Sequence, residues 1–198
     1  QVYLKLGETG KLLERITTSG LAAPQQSEVL TLRGSAQAMS GSLGSAAQSF
    51  AVARTLDPRS AGPWVAEASM QMRSGERDRA KAAALKATEL APGSTVAWVQ
   101  LGGVLHELRD FQGALSAFDR AIALDARHVD AHIGRATVLL GLSRGAEVDQ
   151  ELALLVTWKA IEPRASYLRA ARAAQKGDAV SARMAFSEAA GMIDADCV

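Results

Sequence analysis

Two histidines are the first residues in this sequence whose spacing could support chemistry. His128 and His132 lie four residues apart. On a single helix, that spacing places two imidazoles on one face, where they could bind a metal ion. The third histidine, His106, has no cysteine or second histidine beside it in the sequence. A metal site therefore depends on whether His128 and His132 belong to the same helix.

A short acidic series is the second candidate. Glu147, Asp149 and Glu151 alternate along one segment, and paired carboxylates can act as general acid and base. At helical spacing, however, they are better interpreted as a solvated face. Gly102-Gly103 resembles a phosphate-binding loop only superficially, and the sequence contains no phosphate-loop motif, nucleophile elbow or paired His/Cys arrangement. The sequence thus predicts no catalytic residue, no metal, no cofactor and no enzyme activity.

Composition argues against several other functions. Lys+Arg 22 against Asp+Glu 21 gives a net charge of +1, without the basic stripe of a nucleic-acid-binding protein. The longest aliphatic run, 152–156, is far shorter than the ~18 residues of a membrane span. The one cysteine, Cys197, cannot form an internal disulfide. Abundant alanine with only 5% aromatic residues suits closely packed helices better than a sheet.

Small and large apolar residues recur every 34 positions, and this period indicates how the chain is organised. Four columns keep register without insertion or deletion: Gly34, Ala68, Gly102, Ala136 and Ala170; Ala46, Ala80, Ala114, Val148 and Ala182; Phe50, Ala84, Phe118, Leu152 and Phe186; Ala53, Ala87, Ala121, Leu155 and Ala189. Three further columns are Leu30, Trp64, Trp98 and His132; Pro58 and Pro92; Gly41, Gly75 and Gly177.

Each column has a physical role in a stack of helix pairs. Small residues let helix backbones approach, and buried tryptophan and phenylalanine rings fill the space between neighbours. Glycine suits a turn that needs positive φ, and proline ends one pair and opens the next. The predicted helices are 28–40, 44–56, 62–74, 78–90, 96–108, 112–124, 130–142, 146–158, 164–176 and 180–193. They follow a helix remnant at 1–6 and a helix at 9–18, and we expect an irregularity between 156 and 166.

This pattern resembles the tetratricopeptide repeat (TPR), most clearly at Trp98, Leu101, Gly102, Leu105, Ala114, Phe118 and Ala121. Ala126 stands where the family has proline. The resemblance covers about 27–196 and implies an all-α fold, an α-solenoid of antiparallel helix pairs forming a TPR superhelix. The predicted units are a truncated repeat at 1–26, repeats at 27–60, 61–94 and 95–128, a degenerate repeat at 129–162, and a repeat with the C-terminal tail at 163–198. His128 and His132 then lie on either side of a turn, which disfavours a metal site.

The resemblance also implies a concave groove lined by the first helix of each pair. The inward positions are Thr31, Ser35, Ala38 and Met39; Val65, Ser69, Met72 and Arg73; Val99, Gly103, His106 and Glu107; Ile133, Thr137 and Leu140; Tyr167, Ala171 and Ala174. Chaperone-adaptor members of the family hold a peptide carboxylate with Lys and Asn, where this chain has Thr31 and Ser35. The groove is rather apolar and suits an amphipathic helix or an apolar peptide. A neighbouring segment of the full protein covering the groove is the alternative.

Several phrases resemble, more narrowly, the TPR lipoproteins of the PEP-CTERM/exosortase system and exopolysaccharide loci of Gram-negative bacteria. They lie at 3–7, 32–36, 50–58 and 162–170, including Tyr167-Leu168-Arg169-Ala170. This resemblance implies a periplasmic or envelope-attached protein with a role in polysaccharide export or protein sorting.

The sequence therefore predicts a protein-binding scaffold without nucleic-acid partners or a membrane span of its own. A structural spacer in a longer array and a cytoplasmic adaptor are the alternatives. Apolar residues of the truncated first unit could also drive self-association; they are Tyr3, Leu6, Leu12 and Ile16.

Overall fold

The computed structural model describes residues 20–158 and 163–195. In these ranges every regular element is an α-helix: α1 (Ala23–Met39), α2 (Leu43–Leu56), α3 (Gly62–Arg73), α4 (Arg77–Leu90), α5 (Thr95–Glu107), α6 (Phe111–Leu124), α7 (Val129–Gly141), α8 (Gly145–Thr157), α9 (Pro163–Gln175) and α10 (Ala179–Ala195). The predicted all-α class, an α-solenoid of helix pairs, is confirmed. The predicted helices at 1–6 and 9–18, and residues 159–162 of the predicted irregularity, lie outside the described residues.

Most helices begin and end within two residues of their predicted limits, and α1 is the exception. It begins at Ala23, five residues before its predicted start. Pro24 lies in its first turn, where the fixed φ of proline suits a helix and its missing N–H needs no partner. The side-chain oxygen of Gln25 accepts a hydrogen bond from the backbone N–H of Ala22, at 3.1 Å. These local signals extend α1 beyond the 34-residue pattern.

The chain divides into two compact units between Arg109 and Asp110. In the first unit, α1 packs against α2 and α3 packs against α4, while α1, α3 and α5 contact one another in sequence. In the second unit, α7 packs against α8, α9 packs against α10, and α7 contacts α9. Each unit therefore brings the first helices of successive pairs side by side.

Rings from second helices fill the space above first-helix backbones. Phe50 is completely buried, and a Cβ atom added to Gly34 would lie 2.5 Å from its ring. Phe118 covers Gly134 of the next first helix in the same close way. Alanine residues of the small columns around these rings are inaccessible, including Ala46, Ala53, Ala68, Ala80, Ala87, Ala114 and Ala121. The backbones can approach because no side chain separates them.

Three predicted core rings are more exposed than we expected. Trp64 and Trp98 are half-buried, because each presents one side of its indole to polar neighbours. The Arg54 guanidinium lies 4.5 Å from the Trp64 ring centre, and Trp98 Nε1 donates to the Pro92 carbonyl. Phe186 is 42% exposed. Phe118 packs against Gly134 of the following helix α7, whereas no described helix follows α10 to pack against Phe186.

The turns within helix pairs share a positive φ at one position per repeat. Gly41, Gly75 and Gly177 have φ values of 86°, 81° and 77°, which confirms the predicted glycine turns. The same column holds Arg109 at 62° and Ser143 at 57°. After α3, Gly75 N–H donates to the Met72 carbonyl and Glu76 N–H to the Gln71 carbonyl, the pattern of a Schellman cap. Two residues thus adopt a backbone conformation that favours glycine.

Replacing Ser143 with glycine should stabilise the protein by up to about 1 kcal/mol, because the left-handed backbone is then free of Cβ strain. Replacing Gly75 with alanine should destabilise it by a similar amount for the opposite reason. Urea unfolding at equilibrium measures both differences. A less stable Ser143→Gly protein would show that its hydroxyl, rather than its backbone, controls this turn.

Candidate peptide-binding surface

The first helices of the first unit form one continuous inner surface. Ser69 of α3 donates its hydroxyl hydrogen to the Gln100 side chain of α5 at 3.1 Å, and the Thr31 methyl of α1 lies near the start of α3. In the second unit, α9 reaches α7 through Gln175, whose side-chain amide donates to the Leu140 carbonyl at 3.2 Å. Within each unit, these contacts bring the inward positions of neighbouring first helices close together.

The hydroxyl groups on these helices bond to their own backbones. Thr31 donates to the Ser27 carbonyl at 2.8 Å, and Ser35 donates to the Thr31 carbonyl at 2.9 Å. Ser69 and Thr137 make the same i−4 bond to Val65 and Ile133, at 3.2 and 2.8 Å. Thr31, Ser35 and Thr137 therefore use their hydrogens within their own helices, as is common for hydroxyls in a helix interior. Ser69 shares its single hydrogen between the Val65 carbonyl and Gln100 of α5. The surface is less polar than its composition suggests.

The predicted groove residues differ in accessibility. In the first unit most are half-buried: Thr31, Ser35, Val65, Ser69, Met72, Val99, Gly103 and His106. Met39, Arg73 and Glu107 are exposed. In the second unit Thr137, Leu140 and Ala171 are half-buried, and Tyr167 is 58% exposed with its ring edge-on to Phe186 at 5.6 Å. Partial burial is expected for a surface that a ligand completes.

Ile133 corrects the predicted lining, since only 4% of it is exposed. It belongs to the interior of the second unit and is not available to a ligand. Val96 was not predicted, yet it is 58% exposed and lies one turn before Val99 on α5. The i, i+3 spacing of these two valines places them on one helix face. That spacing would have revealed Val96 in the sequence.

The two histidines considered for metal binding have different roles. His128 caps α7, and its Nδ1 accepts a hydrogen bond from the Ala131 N–H at 3.4 Å. His132 is buried within α7, with Nδ1 2.5 Å from Glu151 and Nε2 3.2 Å from the Ala126 carbonyl. The described residues contain no group of three His, Cys, Asp or Glu side chains that could hold a metal ion.

Glu151 corrects the prediction of a solvated acidic face, because only 5% of it is exposed. Its carboxylate lies between His132 and Arg135, with Arg135 Nη1 2.5 Å from its second oxygen. Arg135 also donates to Asp119 of α6 at 2.7 Å. The Trp158 ring packs edge-on against His132, with centroids 4.8 Å apart. A buried ionic network therefore links α6, α7 and α8.

The other two acids of the series also have partners. Glu147 accepts from Arg144 at 2.6 Å near the surface. Asp149 accepts two hydrogen bonds from Arg172 of α9, both at 3.0 Å, and forms an ion pair with Lys176. The hydrogen bond from Arg172 is the main cause that lowers the pKa of Asp149 below its ordinary value. The series stabilises contacts within and between helices.

Comparisons with known proteins identify the fold. A family model described as tetratricopeptide repeat matches residues 96–128, the segment in which the pattern is clearest. The type IV pilus biogenesis factor PilW is similar in structure, with a TM-score of 0.75 and 19% identity over 86% of this chain and 79% of that one. The chain has a tetratricopeptide-repeat fold.

Two other TPR structures support the same conclusion. A TPR protein from Parabacteroides merdae gives a TM-score of 0.70 and 19% identity over 91% of this chain and 70% of that one. YrrB, a TPR protein with an unusual peptide-binding site, gives a TM-score of 0.60 and 18% identity over 90% of this chain and 89% of that one. A search of curated protein sequences gives no significant match. Among the described residues of this TPR chain, no helix is long and apolar enough to cross a membrane.

Replacing Glu151 with alanine should cost about 3 kcal/mol, because it leaves the buried His132 and the half-buried Arg135 without this carboxylate. Glu147→Ala on the same helix is the matched control. Glu147 is partly exposed and its ion pair with Arg144 lies at the surface, so the loss should stay below about 1 kcal/mol. Chemical denaturation of the two variants measures the difference, and equal losses would contradict the buried network.

Stability should depend on pH through Asp149. Its pKa is lower in the folded protein than in the unfolded chain. Its stabilising contribution is therefore present above the unfolded value of about 3.9 and disappears as pH falls through the folded pKa. Asp149→Asn should reduce the free energy of unfolding at pH 7 and leave it unchanged at pH 2. Arg172→Gln should reproduce this profile, whereas a pH-independent loss in both variants would contradict the ionic origin.

Proposed function

We propose that this protein is an interaction scaffold that binds an apolar or amphipathic polypeptide segment on the inner surface of its first helices. The TPR fold is that of protein-binding scaffolds. One observation carries the finer proposal: the hydroxyl hydrogens of Thr31 and Ser35 are already bonded to carbonyls within their own helix, and that of Ser69 is shared between the Val65 carbonyl and Gln100. A ligand therefore finds these hydroxyl hydrogens already in use, and burial of apolar area at Val65, Met72 and Val99 supplies its affinity.

The apolar side chains have the arrangement that a helical ligand requires. Val96 and Val99 are three residues apart on α5, and Val65 and Met72 are seven residues apart on α3, so each pair lies on one face of its helix. An amphipathic helix presents its own apolar residues at i, i+3, i+4 and i+7 to such a groove. Met72 adds an adaptable side chain that accommodates different partner shapes.

Recognition of a peptide C-terminal carboxylate is not favoured. Such a clamp needs several donors directed at the anion, and Thr31 and Ser35 use their hydroxyl hydrogens within α1. YrrB shows that a TPR protein of similar fold can carry an unusual peptide-binding site. This precedent supports a groove-bound peptide without specifying its sequence here.

The proposal predicts that Val96→Glu and Val99→Glu each weaken binding of a selected peptide by at least about tenfold, because a carboxylate would be desolvated against an apolar ligand. Peptides are first selected from a displayed random library on the unmodified protein. Dissociation constants of the recovered peptides are then measured by calorimetry for each variant.

Val52→Glu is the matched control, since it makes the same change at an exposed position of the second helix α2. It should leave affinity unchanged, and circular dichroism should show equal helicity in all three variants. If selection recovers no peptide, the protein acts as a structural spacer. If a recovered peptide binds Val96→Glu at full strength, the inner surface is not its site.

We propose further that the protein works in a bacterial cell envelope, in polysaccharide export or protein sorting. The support is the resemblance of the phrases at 3–7, 32–36, 50–58 and 162–170 to TPR lipoproteins of exopolysaccharide loci. Cell fractionation with an antibody against residues 20–158 would test it, and we expect recovery with the envelope. Recovery with the cytosol would instead support an adaptor there.

A further inference from the structure

A notch between α3 and α4 lies on the side of α3 opposite the inner surface. At 100° per residue, Trp64, Glu67 and Gln71 point roughly opposite to Val65 and Ser69. The notch has a volume of about 370 Å³ and is completed by Ala82, Ala83, Arg79 and Lys86 of α4. The notch is separate from the inner surface, so binding there does not depend on the function proposed above.

Gln71, one of the residues that line this notch, carries an acceptor that no described protein group satisfies. Gln71 is 9% exposed, and its Oε1 is buried without a hydrogen-bond partner among the described residues. Its Nε2 donates to Glu67 Oε1 at 3.4 Å, and Glu67 is held in turn by Arg54. This series of contacts fixes the orientation of the Gln71 carboxamide, because a flipped amide would place its oxygen against Glu67 Oε1. An unpaired buried acceptor is costly and needs an explanation.

The preceding repeat shows what is missing. Thirty-four residues earlier, Gln37 occupies the position of Gln71, and Ser49 occupies the position of Ala83. Ser49 donates its hydroxyl hydrogen to Gln37 Oε1 at 2.7 Å. Alanine at 83 removes this donor and leaves the acceptor of Gln71 available. The following repeat has Leu105 at the glutamine position, so it has no acceptor to satisfy.

The chemistry of the notch selects among possible guests. Gln71 Oε1 requires a donor, and an ionised carboxylate guest has no hydrogen to donate to it. Arg79 and Lys86 at the rim disfavour a cation and offer donors to an oxygen atom. Trp64 and Ala83 provide apolar walls for a flat group. A neutral group with an N–H donor and a carbonyl acceptor meets all of these requirements.

We propose that this notch binds the side-chain carboxamide of a glutamine or asparagine in a partner polypeptide. The amide N–H donates to Gln71 Oε1 after a small rotation of that side chain, and the amide oxygen accepts from Arg79 or Lys86. The partner thereby supplies the hydrogen bond that Ser49 supplies within the first repeat.

The last helix pair contains an equivalent notch that serves as an internal reference. Its lining includes Arg169, Ala173, Met184 and Ala185, at the positions of Glu67, Gln71, Ala82 and Ala83. Ala173 replaces the glutamine, so this notch offers no carboxamide acceptor. A ligand that requires Gln71 should leave it unoccupied.

The test is a titration of ¹⁵N-labelled protein with the blocked peptide acetyl-Ala-Gln-Ala-amide. The indole N–H of Trp64 and the side-chain amide of Gln71 should shift saturably, and the backbone amides of Ala173 and Met184 should not. The analogues with Glu or Leu at the centre should bind at least about tenfold more weakly, because they lack the donor. Equal binding of the three peptides, or no saturable shift, would overturn the proposal.

Two reciprocal variants add a measurement of stability to the measurement of peptide affinity. Ala83→Ser should raise the urea midpoint and weaken the glutamine peptide by about tenfold, because the new hydroxyl satisfies Gln71 internally. Ser49→Ala should lower the midpoint and leave that binding unchanged. Both substitutions copy residues found at the same position of another repeat, so folding should be retained. An Ala83→Ser protein that binds the peptide at full strength, or gains no stability, would contradict the proposed site.

Discussion

Contact between a second-helix ring and a first-helix backbone is the interaction on which the rest of this structure depends. Phe50 can lie directly on Gly34 only because that residue has no side chain, and Phe118 lies on Gly134 for the same reason. A helix pair alone cannot bury its apolar face, so each pair is stabilised by its neighbour within a unit. The Phe50 contact joins the two helices of one pair, and the Phe118 contact joins one pair to the next, so the close approach acts both within and between pairs.

The fold was predictable because its constraints repeat. The residue type in each column is set by a packing distance or a turn conformation, so five occurrences reveal what one would not. The glycine column missed two turns, because other residue types adopt the same positive φ there. Arg109 and Ser143 adopt the positive φ that glycine marks elsewhere, and neither residue type signals such a turn. The tryptophan rings are less buried than predicted. The repeat determines where each ring lies, but the neighbouring side chains determine how much of the indole is covered.

The candidate surfaces were less predictable, because polar roles depend on pairs of positions. The position of Ser49 is occupied by Ala83 in the second repeat and by Glu151 in the fourth. The serine satisfies a glutamine, the alanine leaves one unsatisfied, and the glutamate pairs with Arg135. Reading Glu147, Asp149 and Glu151 along one helix suggested a solvated face, whereas their partners lie on other helices or one turn away.

The hydroxyls bonded within their own helices have a thermodynamic consequence. Hydroxyls that already bond within the protein give a ligand little enthalpy from new hydrogen bonds. Association through the apolar side chains beside them would be accompanied by a negative heat-capacity change. Affinity would then reflect the fit of apolar side chains, so a single such groove could accept several unrelated sequences that share only one apolar face.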